Sequence, residues 1–108
     1  MNAVRKAKKE RLESAGWRVG DAAEFLELTS EEAAFVELKL ALAQYVRELR
    51  GAHGWTQAQV ARRLGSSQSR VAKMEAADPS VSLDLLVKAL LALGASRRDV
   101  GWVIARAA

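Results

Sequence analysis

The stretch that decides the fold is Thr56-Gln57-Ala58-Gln59-Val60-Ala61-Arg62-Arg63-Leu64-Gly65-Ser66-Ser67-Gln68-Ser69-Arg70-Val71-Ala72-Lys73-Met74-Glu75. It reads as two short helices around a tight turn. Thr56 caps the first, and Gln59 stands three residues on, the spacing of a capping box. Val60, Ala61 and Leu64 make its apolar stripe. Gly65 ends it in the left-handed conformation. Ser67 caps the second helix, whose inner face is Val71 and Met74 with Ala72. The pair is too small to bury a core alone, so it needs helices on both sides.

Those helices are legible outward from the pair. Upstream, Thr29 or Ser30 starts a long helix, with Glu31 and Glu32 in its favourable first turn. It runs to about Arg50 and is closed by Gly51 and Gly54. Leu38, Leu42, Tyr45 and Leu49 follow helical spacing, and Phe35 and Val46 widen the stripe. Tyr45 reads as a half-buried core residue. A shorter helix is expected from Asp21 to Leu28, with Asp21 and Glu24 at capping-box spacing. Trp17 and Val19 flank Arg18 in an extended pattern between Gly16 and Gly20. Downstream, residues 76–80 form a loop with the only proline, Pro79. Ser82 caps a helix with Leu83, Leu86, Val87, Leu90 and Leu93 on one face, stopped by Gly94. Ser96 and Asp99 set a further capping box. Val100, Val103, Ile104 and Ala107 then repeat as helix, with a strand over 101–104 as the weaker alternative.

The fold class is therefore all-α, a compact bundle of five to six helices with a basic N-terminal extension. Residues 1–20 read as an arm and 21–108 as a single helical domain that contains the two-helix unit at 56–76. The chain has 108 residues, half of them hydrophobic, enough for one modest core. It has no cysteine, which excludes disulfides and thiolate metal sites and fits a reducing, cytoplasmic setting. No apolar run reaches membrane-spanning length.

The net charge of +4 is unevenly placed. Residues 1–11 carry +4, residues 12–49 carry −5, and residues 50–75 carry +4. Such separation points to two surfaces for two partners. Catalytic chemistry finds no support. His53 is the only histidine and sits in a glycine-flanked turn. Asp84 and Asp99 have no acid–base partner set, and Ser66, Ser67 and Ser69 have no base beside them. No enzyme activity, cofactor or metal is expected.

DNA recognition is the constructive signal. A helix fits the major groove, where Gln reads adenine and Arg or Lys reads guanine. Gln68, Ser69, Arg70 and Lys73 cluster on the first turns of the second short helix, the end that a recognition helix presents to bases. Thr56, Gln57 and Ser67, at the starts of the two helices, suit phosphate contacts. Arg62 and Arg63 on the outer face of the first short helix are further phosphate candidates.

These residues carry a resemblance. Arg50, Thr56-Gln57, Val60-Ala61, Leu64-Gly65, Ser67-Gln68, Val71 and Glu75, followed by Ser82, Leu85, Leu86 and Ala92-Leu93-Gly94, resemble the lambda Cro/C1-type helix-turn-helix domain, the XRE family, over roughly residues 35–95. The resemblance implies the lambda-repressor-like fold and double-stranded operator DNA as ligand. It implies that Gln57 contacts phosphate and Gln68 a base, and that Arg50 and Glu75 form a partly buried ion pair. The family often has serine where this chain has Ala72, which removes one phosphate contact. The segments Gly20 to Leu26 and Val36 to Leu42, with Ser66 to Glu75, also resemble HigA-type antitoxins encoded beside RelE-like toxins. That narrower likeness implies a bacterial antitoxin that neutralises a toxin and represses its own operon. The alternatives are a stand-alone repressor and a protein-interaction module that has lost DNA binding. Gln57, Gln68, Arg70 and Lys73 argue against the last.

Two further surfaces are expected. One recognition helix covers few base pairs, so a homodimer is expected to place two in successive grooves about 34 Å apart. Its contact falls on Val100, Trp102, Val103 and Ile104, with Leu91 as an addition. Val103 and Ile104 are equally suited to closing the core, and off-core Trp102 is the better anchor. The acidic segment, which DNA repels, is expected to take a basic toxin through Trp17, Asp21, Glu24, Phe25, Glu27 and Glu31, with Glu32 and Glu37 adding charge. The simpler reading is that Phe25 and Leu26 pack on the long helix and the acids are solubilising.

Overall fold

The computed structural model describes residues 29–107. The expected arm at 1–20 and short helix at 21–28, with Trp17, Asp21, Glu24, Phe25 and Glu27, lie outside the described residues. The chain divides into two units, Met1–Phe35 and Val36–Ala108. Among the described residues there are five helices and no strand: α1 Ser30–Ala52, α2 Gln57–Leu64, α3 Gln68–Glu75, α4 Leu83–Ala92 and α5 Arg97–Arg106. The architecture is all-α and lambda-repressor-like.

In the first unit the described residues are the start of α1. Thr29 and Glu32 cap it reciprocally. The Glu32 amide donates to Thr29 Oγ1 at 3.1 Å, and the Thr29 amide donates to Glu32 Oε1 at 2.9 Å. The second hydrogen bond is the main reason that the Glu32 carboxyl is held below its usual range. Phe35 is 49% exposed and does not widen the buried stripe as the spacing predicts.

The second unit is built around the C-terminal half of α1. Leu42 and Val46 of α1, Val60 of α2, Val71 and Met74 of α3, and Leu86 and Leu90 of α4 are fully buried. Helices of eight residues are marginal alone, so α2 and α3 owe their stability to this shared core. Serine or threonine caps four of the helix starts in this unit. Thr56, Ser67, Ser82 and Ser96 each accept the amide three residues on. Each such cap stabilises by about 1 kcal/mol. α1 continues two residues beyond the expected Arg50, so Gly51 lies inside its last turn. Tyr45 and Leu49 of α1 are partly buried against the core.

The C-terminal segment is helix, not strand. Ser96 and Asp99 form a reciprocal capping box, which starts a helix and is incompatible with an extended chain there. Val100 and Val103 enter the core of the unit itself. Val103 thus takes the core-closing role, one of the two expected for it, and Val100, expected at a subunit interface, is buried beside it. Trp102 and Ile104 remain outside, at 62% and 39% exposed.

Candidate nucleic-acid interface

The local sequence builds the α2–turn–α3 unit at both ends. The Thr56 hydroxyl accepts the Gln59 amide, and the Gln59 side chain accepts the Thr56 amide at 2.8 Å. Gly65 has φ of +63° and closes α2, with its amide bonded to Arg62 and the Ser66 amide bonded to Ala61. This is the left-handed cap with a backward bond across the turn. Ser67 then accepts the Arg70 amide at 3.1 Å and starts α3. The turn is thus set by Gly65 and two caps.

The core settles which face of α3 is outward. Val71, Met74 and Glu75 are buried. At about 100° per residue, Ser69 and Lys73 stand opposite that buried face, with Gln68 and Ala72 on one side of them. Gln68, Ser69 and Lys73 are all exposed. Arg70 is also exposed, but it lies on the flank of α3 toward α4, where it lines a groove. The expected base-reading set is therefore divided between the crest of the helix and its side.

Behind α3 lies a polar network centred on Glu75, whose side chain is 4% exposed. Arg50 Nε donates to Glu75 Oε2 at 2.5 Å, and Arg50 Nη2 donates to Oε1 at 3.0 Å, a bidentate pair. Gln57 Nε2 donates to the same Oε1 at 3.1 Å. Arg50 Nη1 reaches the Trp55 carbonyl, and Arg47 Nη2 reaches the Glu75 carbonyl. The hydrogen bond to Glu75 pushes the Arg50 guanidinium above its ordinary value, against the effect of burial. α1, the Trp55 turn, α2 and α3 are tied at one point. Gln57, expected as a phosphate contact, here spends its amide on Glu75. Thr56 and Ser67 likewise use their hydroxyl oxygens as cap acceptors, which leaves each O–H free to donate.

Two parts of this site were not read from the sequence. One is Arg47, expected only as a charge near a helix end. The other is Trp55, which packs against the core. Its ring stacks on His53 with centroids 4.1 Å apart, and the Arg63 guanidinium lies 4.0 Å above it. The available signal was an apolar residue directly before a helix cap, the position of a hydrophobic staple. Arg62 and Arg63 are exposed on α2, with Arg63 held by that ring.

Of the remaining expected site residues, Glu31 is exposed on α1, and Glu37 is buried. Among the described residues no group of three His, Cys, Asp or Glu is placed to hold a metal ion. No helix among them is long and apolar enough to cross a membrane.

A family model described as helix-turn-helix matches residues 46–100, just over half of the chain, from the end of α1 into α5. No curated protein and no solved structure matches the chain. The match spans the capped α2–turn–α3 unit, the Arg50–Glu75 pair and the core beneath them. The chain belongs to the XRE-type helix-turn-helix family and is a DNA-binding transcriptional regulator.

Proposed function

We propose that the protein is a sequence-specific repressor that reads double-stranded operator DNA with α3. Exposed Ser69 and Lys73 on the outward crest of α3, with exposed Gln68 and Arg70 on its two sides and the Glu75 network fixing the helix from behind, carry this reading. Gln68 reads a base through its amide, with Ser69 and Lys73 beside it and Arg70 reaching in from the flank. Thr56, Gln57 and Ser67 hold phosphates, and Arg62 and Arg63 add non-specific attraction. Gln57 keeps one amide N–H and its carbonyl beyond the bond to Glu75, so a phosphate contact extends the network without breaking it. The test is a shift assay on the DNA upstream of the gene, across salt concentrations. Affinity should fall steeply with salt, and Gln68→Ala should lose about 1–3 kcal/mol of discrimination at one base pair. Equal loss on specific and random DNA would make Gln68 a backbone contact.

The repressor acts as a homodimer through Trp102 and Ile104 of α5, with Leu91 adjoining in sequence order on α4. All three are large apolar residues left exposed. It is also an antitoxin, with residues 1–20 as an arm and 21–108 as the helical domain. The −5 charge of residues 12–49 supports a basic partner of the RelE-like toxin type. Deleting residues 1–28 should abolish neutralisation of the toxin encoded next door and leave operator binding intact. Retention of both activities would remove the partner site from this segment. A neighbouring gene that encodes no small basic protein would leave a stand-alone repressor.

A further inference from the structure

A groove of about 410 Å³ runs beside the recognition helix, between α3 and α4. That volume falls in the range of small-ligand sites, roughly 300–1,000 Å³. Its floor is apolar and comes from Leu64, Met74, Leu85 and Ala89. Met74 and Ala89 belong to the core, and Leu64 and Leu85 pack against it. The charged residues that line the groove are Arg70 of α3 and Lys88 of α4, and no carboxylate lines it. Lys88 Nζ meets Asp84 at 3.2 Å on its own helix, with both side chains about three-quarters exposed. Such an exposed pair is worth at most about 1 kcal/mol, so it yields readily to a better anion. Arg70 has no ion pair among the described residues. Two cations over an apolar floor match one ligand chemistry: an anionic head on an apolar body.

We propose that this groove binds a small amphipathic carboxylate, with its apolar body on Leu64, Met74, Leu85 and Ala89 and its carboxylate between Arg70 and Lys88. Binding also regulates, because Arg70 belongs to the recognition helix. A carboxylate on its guanidinium neutralises it and places negative charge beside the surface that DNA phosphates approach. The ligand then binds free protein better than DNA-bound protein, and by reciprocity lowers operator affinity. Only this regulatory half rests on the reading of α3 as the DNA-contacting helix.

The experiment has two arms, both on the full chain. In the first, without DNA, octanoate is titrated while the side-chain methyls of Leu64, Met74 and Leu85 are followed by NMR. Saturable shifts are expected with octanoate and not with octyltrimethylammonium. Lys88→Gln should weaken octanoate by about tenfold, the value of one charge-assisted contact. Equal response to the cationic probe, or no saturable response, overturns the site. In the second arm, operator affinity is measured without octanoate and across octanoate concentrations up to saturation. The affinity should fall by about tenfold for the parent chain, and the octanoate concentration that produces half of this fall should rise about tenfold for Lys88→Gln, which binds DNA normally when octanoate is absent. Octanoate binding with unchanged operator affinity overturns the regulation and keeps the site. A chain that binds no DNA fails the DNA reading alone, since the first arm is independent of it.

Discussion

Glu75 is the residue on which the helix-turn-helix depends most. Its carboxylate takes three side-chain donors, two from Arg50 and one from Gln57, and its carbonyl takes Arg47. Removing one member of a buried pair strands the other charge, at about 3–5 kcal/mol. Arg50 keeps 23% of its side chain in solvent, which moderates that cost. Glu75→Gln should therefore destabilise by about 3 kcal/mol in urea unfolding, the low end of that range. A loss below about 1 kcal/mol would reduce the network to a surface pair. Arg50→Met combined with Glu75→Leu should recover much of the loss, because well-packed apolar pairs replace buried ion pairs at little cost. Its operator affinity should stay low, since Gln57 then loses its anchor.

At the scale of elements, the connections matter more than the helices. Gly65 sits at φ +63° with open space around it, since an added Cβ meets nothing within 4 Å. The cost of Gly65→Ala is therefore conformational and not steric. It should destabilise by about 1–2 kcal/mol, the penalty of a left-handed L-residue, with the fold retained in circular dichroism. Ala77 already bears such a conformation, at φ +52°, where α3 ends. The backbone bonds from Ala77 to Met74 and from Asp78 to Lys73 repeat the pattern at Gly65 with a buried methyl in place of hydrogen. The start of α5 adds a pH dependence. The Asp99 carboxyl is held below its ordinary value of 3.8, chiefly by the Ser96 amide and then by the Ser96 side chain. A depressed carboxyl gives stability that is present above the unfolded value and lost as pH falls through the folded one. Asp99→Asn should flatten the acid limb of stability below about pH 4, seen as urea midpoints that no longer drop as steeply. An unchanged limb would mean that other carboxylates carry the acid response, Asp78 with its Ser80 hydrogen bonds being the next candidate.

For the whole molecule, the open issue is how one short recognition helix selects a site. A dimer doubles the bases read and fixes their spacing. Val100 and Val103 are buried in the protomer core, so the proposed dimer is expected to be anchored by Trp102, 62% exposed with Arg106 5.5 Å from its ring centroid. Trp102→Ala should leave unfolding midpoints nearly unchanged and shift the protein to monomer at micromolar concentration in sedimentation. Operator binding should then become dependent on protein concentration. A Trp102→Ala protein that stays dimeric would move the interface elsewhere.

The local code of this chain was written in sequence. Thr56, Ser67, Ser82 and Ser96 announced the starts of α2 to α5 and Gly65 the end of α2, because caps and left-handed turns depend on residue type over three or four positions. Helical spacing likewise placed Leu42, Val46, Val71, Leu86 and Leu90 inward. The tertiary structure alone decided what depends on neighbours distant in sequence. It put Arg70 on the flank of α3 and turned Gln57 onto Glu75. It drew Val100 and Val103 into the core and left Phe35 exposed. It also set Trp55 between His53 and Arg63. Periodicity tells which side of a helix is apolar, but a partner 18 or 25 residues away, as for Gln57 and Arg50 with Glu75, is chosen by packing.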